Sequence, residues 1–522
     1  MIVIEYLSAR RNVSCFVILL FLVMASPFAA HAQTDQRSWT YTKIADIDTD
    51  LPNWAPGYSK IYLEPSISDD VISFRCSFGG GGWPYFCVYT KALDGDFTAH
   101  VDNTTPMPGA EAYFWGVNGL SFSDGLMAFV GTCANPYNRG IYKKHMASND
   151  IDIVMNAETD IPGGVGKFHT GLHEIPSINS ETIVFFGAGT TEIYQEGIYA
   201  EVNGNLIAVA DLNTEMPNHV GINFDDFDIH PSSGGDYIAF FGLDTVSGAR
   251  GVYRYSVEND LIEIVADELT DVPGGTDRFA SFDRPVIDSE NYAFWGVEQN
   301  TDKRGLFTYL DEDLGAVAMT GDSIPGAPGK YIGAFGPVSI DGRDVAFIAE
   351  EAGSSSYKSI LAKKGDVLTK VIDTNEYLDG RAISAFVMTR HALCNDKVVF
   401  LVSFVDETWG IYLATLDATP AEVPSADIST VPILLRPSRP NPFDGKTTLS
   451  FALTKACQVD LSLYATDGAK VVTLIDRMMD SGRHRMEWDG LDRNGKLVPA
   501  GVYFIKLRQD KYVAVDRLVL LK

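Results

Sequence analysis

The chain has 522 residues, with 41 basic and 69 acidic side chains, a formal net charge of −28 and 46% hydrophobic residues. That apolar share excludes an intrinsically disordered chain, the acidic balance argues against a nucleic-acid binder, which needs cations to meet phosphates, and six cysteines are too few to frame a disulfide mini-domain. The 47 glycines and 24 prolines, with no long helix-periodic stretch, point to an all-β fold.

Residues 1–32 read as a secretory signal peptide. Arg10 and Arg11 make a basic start, residues 16–24 (FVILLFLVM) are an apolar run, and Ala30-His31-Ala32 places small residues where a signal peptidase reads, before Gln33. The run is shorter than the roughly 20 residues of a membrane span. No later segment reaches that length, so the mature chain is expected to carry no transmembrane anchor.

A repeat follows. The word Ala/Val-Phe-x-Gly stands at Ala128-Phe129-Val130-Gly131, Val184-Phe185-Phe186-Gly187, Ala239-Phe240-Phe241-Gly242 and Ala293-Phe294-Trp295-Gly296, with looser copies around Phe74, Phe347 and Phe400. The steps between these phenylalanines are 55, 56, 55, 54, 53 and 53 residues. About ten residues after each comes Gly-Ile-Tyr or a relative, as in Gly140-Ile141-Tyr142 and Gly410-Ile411-Tyr412. A third word, Val-Ala-Asp-x-x-Thr, is clear at Val209 to Thr214 and Val265 to Thr270, and a Pro-Gly turn follows. Each unit thus offers about four short aromatic-rich segments between Gly, Asp, Asn and Pro turns, which are strand signals. A four-stranded unit of this length suits a propeller blade, whose two apolar faces are buried only by neighbouring copies.

The ends of the repeat bear on closure. Ile44-Ala45-Asp46 precedes any Ala-Phe-x-Gly word, whereas Gly410-Ile411-Tyr412 has no third word after it. Residues 39–45 are therefore expected to complete the last unit, giving a seven-bladed β-propeller over residues 33–416. An open β-solenoid, the alternative, would not need its missing strand supplied from the start.

Residues 417–432 are Pro-, Ala- and Asp-rich and read as a linker. Residues 433–522 alternate with period two between short turns, which suggests a small β-sandwich. The Pro440-Asn441-Pro442-Phe443 start, the Trp488-Asp489-Gly490 turn, the Gly501-Val502-Tyr503-Phe504 strand and the terminal Lys522 resemble two related families. One is the C-terminal sorting domains of type IX secretion cargo in Gram-negative bacteria. The other is the immunoglobulin-like domain of the flagellar hook-capping protein FlgD. The resemblance implies an Ig-like sorting or attachment domain, a partnership with export machinery, and a cell-surface or extracellular location. The repeats resemble uncharacterised secreted bacterial repeat proteins, which implies no activity.

Charge divides at the same boundary. Ile433 onward holds 15 basic and 10 acidic residues, and the signal segment two Arg and one Glu, which leaves 24 basic and 58 acidic residues between them. A net charge of −34 on the repeat region repels nucleic acid and anionic surfaces; solubility outside the cell is its simplest meaning.

Candidate chemistry is sparse. Cys76 and Cys87 replace Gly131 and Gly140 of the next unit, one in each arm of a hairpin, and a cross-strand disulfide is expected in an oxidising compartment. Cys133, Cys394 and Cys457 have no evident partners in the sequence. Asp46, Asp48 and Asp50 alternate as in calcium loops, but the Gly and distal Glu of such a loop are missing, so a solvated turn is the simpler reading. Asp225, Asp226 and Asp228 read as a turn likewise, and residues 489–495 as hairpin turns. His169 and His173 with Glu174 would pair on a helix, yet on a strand residues four apart are about 13 Å apart. Phe168, Phe224, Phe279 and Phe335 recur at a fixed phase near one mouth, where core packing accounts for them. No nucleophile elbow, zinc-protease motif or phosphate loop occurs, and no cofactor is expected beyond that calcium candidate. The reading is a monomeric, non-catalytic binding module for a glycan or protein. A secreted polysaccharide-active hydrolase or lyase is the rival; a structural cell-envelope protein is the third possibility.

Overall fold

In the computed structural model the chain forms two compact units, residues Met1–Thr419 and Pro420–Lys522. The described residues are 38–54, 60–77, 86–133, 139–169, 175–189, 195–354 and 356–417 in the first unit. In the second they are 433–435, 443, 445–453, 456–465, 469–479, 482–493, 495–509 and 512–521. The expected signal peptide and most of the expected linker lie outside them. Among the described residues every regular element is a β-strand, and no helix is long and apolar enough to cross a membrane.

The first unit repeats one antiparallel sheet. Sheets 1 to 6 span residues 61–102, 116–156, 177–211, 226–267, 279–319 and 332–373, and strands pair in chain order in each, save that in sheet 4 Asp226–Phe227 and Ser232–Ser233 both pair with Tyr237–Leu243. The Ala-Phe-x-Gly word is the second strand and Gly-Ile-Tyr the third, with Phe185 opposite Tyr199 in sheet 3. Central strands are covered on both faces, so Thr182–Ala188 is buried along its whole length.

The words have local causes. A Cβ on Gly187 would lie 2.7 Å from the Phe168 ring, and one on Gly242 equally close to Phe224, so the glycine leaves room for the ring. A Cβ on Gly197 would strike the Ala210 carbonyl of the neighbouring strand, beside a bulge. In the third word the Thr214 hydroxyl accepts from the Asp211 N–H at 2.9 Å and donates to its carboxylate at 3.0 Å, while the Asn213 N–H donates to the same carboxylate at 2.9 Å. That Asx-type turn satisfies the chain as it leaves the outer strand.

Sheet 7, residues 377–416, gains its outer strand from the start of the chain. Trp39–Asp46 pairs antiparallel with Trp409–Leu416, with Thr40 opposite Thr415 and Asp46 opposite Gly410. The expected donation of residues 39–45 is thus observed. The first strand of each sheet packs against the first strands of its neighbours, and from sheet 7 the succession returns to sheet 1.

The second unit holds a three-stranded sheet (Ile433–Leu435, Thr447–Leu453, Gly482–Trp488) and a four-stranded one (Lys470–Met479, Cys457–Ala465, Gly501–Gln509, Tyr512–Leu520). Leu449, Phe451 and Trp488 of the first share a core with Leu461, Leu463, Ile505 and Leu518 of the second. Trp488 is 2% exposed and donates its indole N–H to Leu491 O at 3.0 Å, closing the turn after it.

Candidate functional site

The first strands carry a fourth repeating word. Eight residues before the phenylalanine of each Ala-Phe-x-Gly word stand Ser66, Ser121, Ser177, Ser232, Val286, Ser339 and Ala392. The residue before that is proline in four copies, at Pro65, Pro176, Pro231 and Pro285. The five serines are at most 1% exposed. Each first strand is an edge whose outward N–H has no ladder partner. The serine of the preceding sheet supplies one: Ile178 N–H donates to Ser121 Oγ at 3.0 Å, Ser233 N–H to Ser177 Oγ at 3.1 Å and Ile287 N–H to Ser232 Oγ at 3.2 Å. Ser339 Oγ accepts from Ala392 and Leu393, both at 3.0 Å.

Sheet 7 breaks the word and crosses the axis on which the first strands converge. Where three other sheets have x-Pro-Ser, it has Arg390-His391-Ala392. Thr389 Oγ1 donates to Pro65 O of sheet 1 at 2.8 Å, and His391 O accepts from Ile67 N–H at 2.8 Å. His391 Nε2 lies 3.0 Å from Ser121 Oγ of sheet 2 and 3.5 Å from Ser177 Oγ of sheet 3. Arg390 donates to Pro231 O of sheet 4, and its own carbonyl accepts from Ser339 of sheet 6. One tripeptide therefore ties five other sheets together at the serine level. Burial, and then the Arg390 charge, push the His391 pKa down to about 3, so the imidazole is neutral. Burial likewise takes Arg390 down to about 10.

A cluster of polar and charged side chains, called the chamber below, lies on the strand-entry side of this plug. Two residues before the serine position stand Glu64, Gly119, Ile175, His230, Arg284, Pro337 and Arg390, so charge enters in some sheets only. Glu64 is occupied by the Gly119 and Leu120 N–H groups at 3.4 and 3.3 Å and by Arg75 at 3.6 Å. Asp228 accepts from His230 N–H at 2.7 Å and lies 3.0 Å from its Nδ1. Burial disfavours the Asp228 charge, but the His230 bonds outweigh it and hold the carboxyl below its ordinary range. Asp283 goes the other way, raised by burial, with Arg284 3.5 Å from it. Arg284 takes a positive φ of 46° at a bulge, the conformation Gly119 takes in sheet 2 at 60°. The charges of Asp228 and Arg284 both reach Arg390. Chemically this chamber can hold and orient a small polar ligand.

The residues singled out from sequence fall elsewhere. Asp46 forms the repeat's turn, accepting from Asp48 N–H at 3.1 Å and Thr49 at 3.0 Å, and Lys43 sits 2.9 Å from its other oxygen. No group of three metal-ligating side chains occurs among the described residues, and Asp48 and Asp50 do not converge with Asp46 on one. His169 is exposed, and His173 and Glu174 lie outside the described residues. Phe168, Phe224 and Phe279 are core: Phe168 meets Tyr199 at 4.9 Å and Phe224 meets Tyr253 at 5.0 Å. Phe335 stacks on Trp295 of the neighbouring sheet at 4.6 Å. Asp225 caps Thr245 and Asp228 accepts from the N–H two residues on, both as turn residues should, and Asp228 also meets the His230 ring. Cys76 is registered directly opposite Cys87, and both are wholly buried. Cys87 stands as a thiol here, its pKa pushed up to about 12 by burial, so the facing geometry is present without the bond.

A ring-forming succession of four-stranded sheets defines a β-propeller repeat protein. The chain belongs to the family described as a family of unknown function, DUF7453, which residues 105–424 match. No curated protein matches it. Among solved structures it is similar to the β-propeller domain of the Trilobed protease from Pyrococcus furiosus, at 11% identity and TM-score 0.41 over 69% of this chain and 99% of that one. An oligogalacturonate lyase from Vibrio parahaemolyticus gives 13% identity and TM-score 0.40 over 73% and 98%. PorZ, a surface component of the type IX secretion system of Porphyromonas gingivalis, gives 12% identity and TM-score 0.29 over 88% and 70%. Such distant likenesses carry nothing about activity.

Proposed function

We propose that the protein is an exported seven-bladed propeller that binds a ligand on its axis without turning it over, delivered to the cell surface by its second unit acting as an Ig-like sorting domain. The observation that carries the binding role is the break in symmetry at one strand position. A purely structural repeat would fill Glu64, His230, Arg284 and Arg390 as it fills Gly119, Ile175 and Pro337. Charged groups gathered inside a rigid fold cost stability, and ligand binding is the usual return on them. Export rests on the signal-peptide pattern of residues 1–32, and delivery on the motifs from Pro440 to Lys522.

The rival, a polysaccharide-active hydrolase or lyase, has one observation on its side: Asp228 and Asp283 are shifted in opposite directions, as an acid and a base would be. A glycan and metal-ion binding screen on the full exported chain, with turnover assays on every hit, tests the reading. Saturable binding without turnover is expected. Turnover replaces the binding module with an enzyme, and a chain that binds nothing is left as a structural cell-envelope protein.

A further inference from the structure

The cations of the chamber are less well matched than its anions. Asp228 is held twice by His230, and Glu64 by two backbone N–H groups and Arg75. Among the described residues the Arg390 side chain makes one hydrogen bond, to the Pro231 carbonyl, and no carboxylate lies within ion-pair distance of it. It keeps some accessible surface although protein surrounds it, and no nitrogen of it is both buried and unpartnered, so its remaining donors face accessible space. Arg284 approaches the same space from sheet 5, its side chain 55% exposed, with the Asp283 carboxylate 3.5 Å away and the Asp228 charge within electrostatic reach. A guanidinium inside a fold with most of its five donors unmatched is costly. A planar oxyanion removes that cost, because its two oxygens match the guanidinium fork.

We propose that the axial chamber binds the carboxylate of an organic acid, with Arg390 as the inner cation and Arg284 as the outer one. The neutral His391 and the serines beneath close the inner end, so the acid enters from the strand-entry side. His230 and Asp228 then stand beside it as a donor and an acceptor for a neighbouring hydroxyl. This rests on the reading of the propeller as a binding module and adds the chemical class of its ligand.

Titration calorimetry of the full chain with glucuronate, glucose 6-phosphate and glucose tests it. Glucuronate is expected to bind and glucose to give no heat. Arg284→Gly, which keeps the backbone conformation that residue needs, is expected to weaken glucuronate at least tenfold with an unchanged melting temperature. Arg390→Met, similar in length and uncharged, is expected to abolish the binding. Overturning results are no heat from glucuronate, glucose bound as tightly, or an Arg284→Gly protein that binds as the parent does. Glucose 6-phosphate binding while glucuronate does not also overturns it, in favour of a phosphate site. If the acids fail but the wider screen finds a neutral ligand, the binding module stands and only the acid site falls.

Discussion

At the scale of single residues, the glycines of the repeat are steric necessities. Gly187→Ala would put a methyl carbon 2.7 Å from the Phe168 ring, which is held between Phe185 and Tyr199 and has nowhere to go. Overpacking of this kind costs about 1–3 kcal/mol, and a urea titration should show the midpoint falling with an unchanged slope. His391 gives the pH counterpart. Folded, it takes a proton only near pH 3; unfolded, near its ordinary 6.5. Between those values the unfolded chain holds more protons, so stability is complete above 6.5 and is lost as pH falls towards 3. His100, lowered to about 4 by burial and by Lys144, adds to the loss in the same direction. His391→Gln should reduce the slope of unfolding free energy between pH 6 and 5 by up to ~1.4 kcal/mol per pH unit; an unchanged slope would sink the assignment. Cys76 and Cys87 face each other at one ladder step, so protein isolated from an oxidising compartment should be about 2 Da lighter than its reduced form, and Cys87→Ser should abolish the difference.

At the scale of elements, one strand decides closure. Without Trp39–Asp46, Trp409–Leu416 becomes a bare edge, and Ile44 and Ala45, at 6% and 0% exposure, no longer cover the core shared by sheets 7 and 1. A chain lacking residues 33–46 should melt at a markedly lower temperature and associate on size-exclusion chromatography, because unpaired edges recruit one another. A monomer as stable as the parent would refute this. That closure was legible in the sequence because its signals repeat: a misplaced Val-Ala-Asp word and an unfinished last copy cannot both be chance. The axial site was not legible. Its serines and prolines look like turn residues, and the Pro-Ser word emerges only when counted back eight positions from each phenylalanine. Arg390 and His391 are singular where repeats are read by recurrence, and Asp228 sits among acidic neighbours that are ordinary turns.

At the scale of the molecule, residues 33–432 carry 58 acidic against 24 basic residues, whereas the stretch from Ile433 has 15 basic against 10 acidic. The two stretches thus carry net charges of opposite sign, and in physiological salt that distinction acts over about 8 Å. A negative field around a chamber with two arginines slows the arrival of an acid without preventing its capture, since inside the protein the local guanidinium groups dominate.

The pairing of Thr40 with Thr415 also sets a schedule. A ribosome adding about 5–20 residues per second separates the emergence of those partners, 375 positions apart, by roughly 20–75 s. Until residues 409–416 are made, the first strand has no partner and the circle cannot be finished. Completion is a late event that fastens everything at once, so a product truncated anywhere before residue 409 never acquires its clasp.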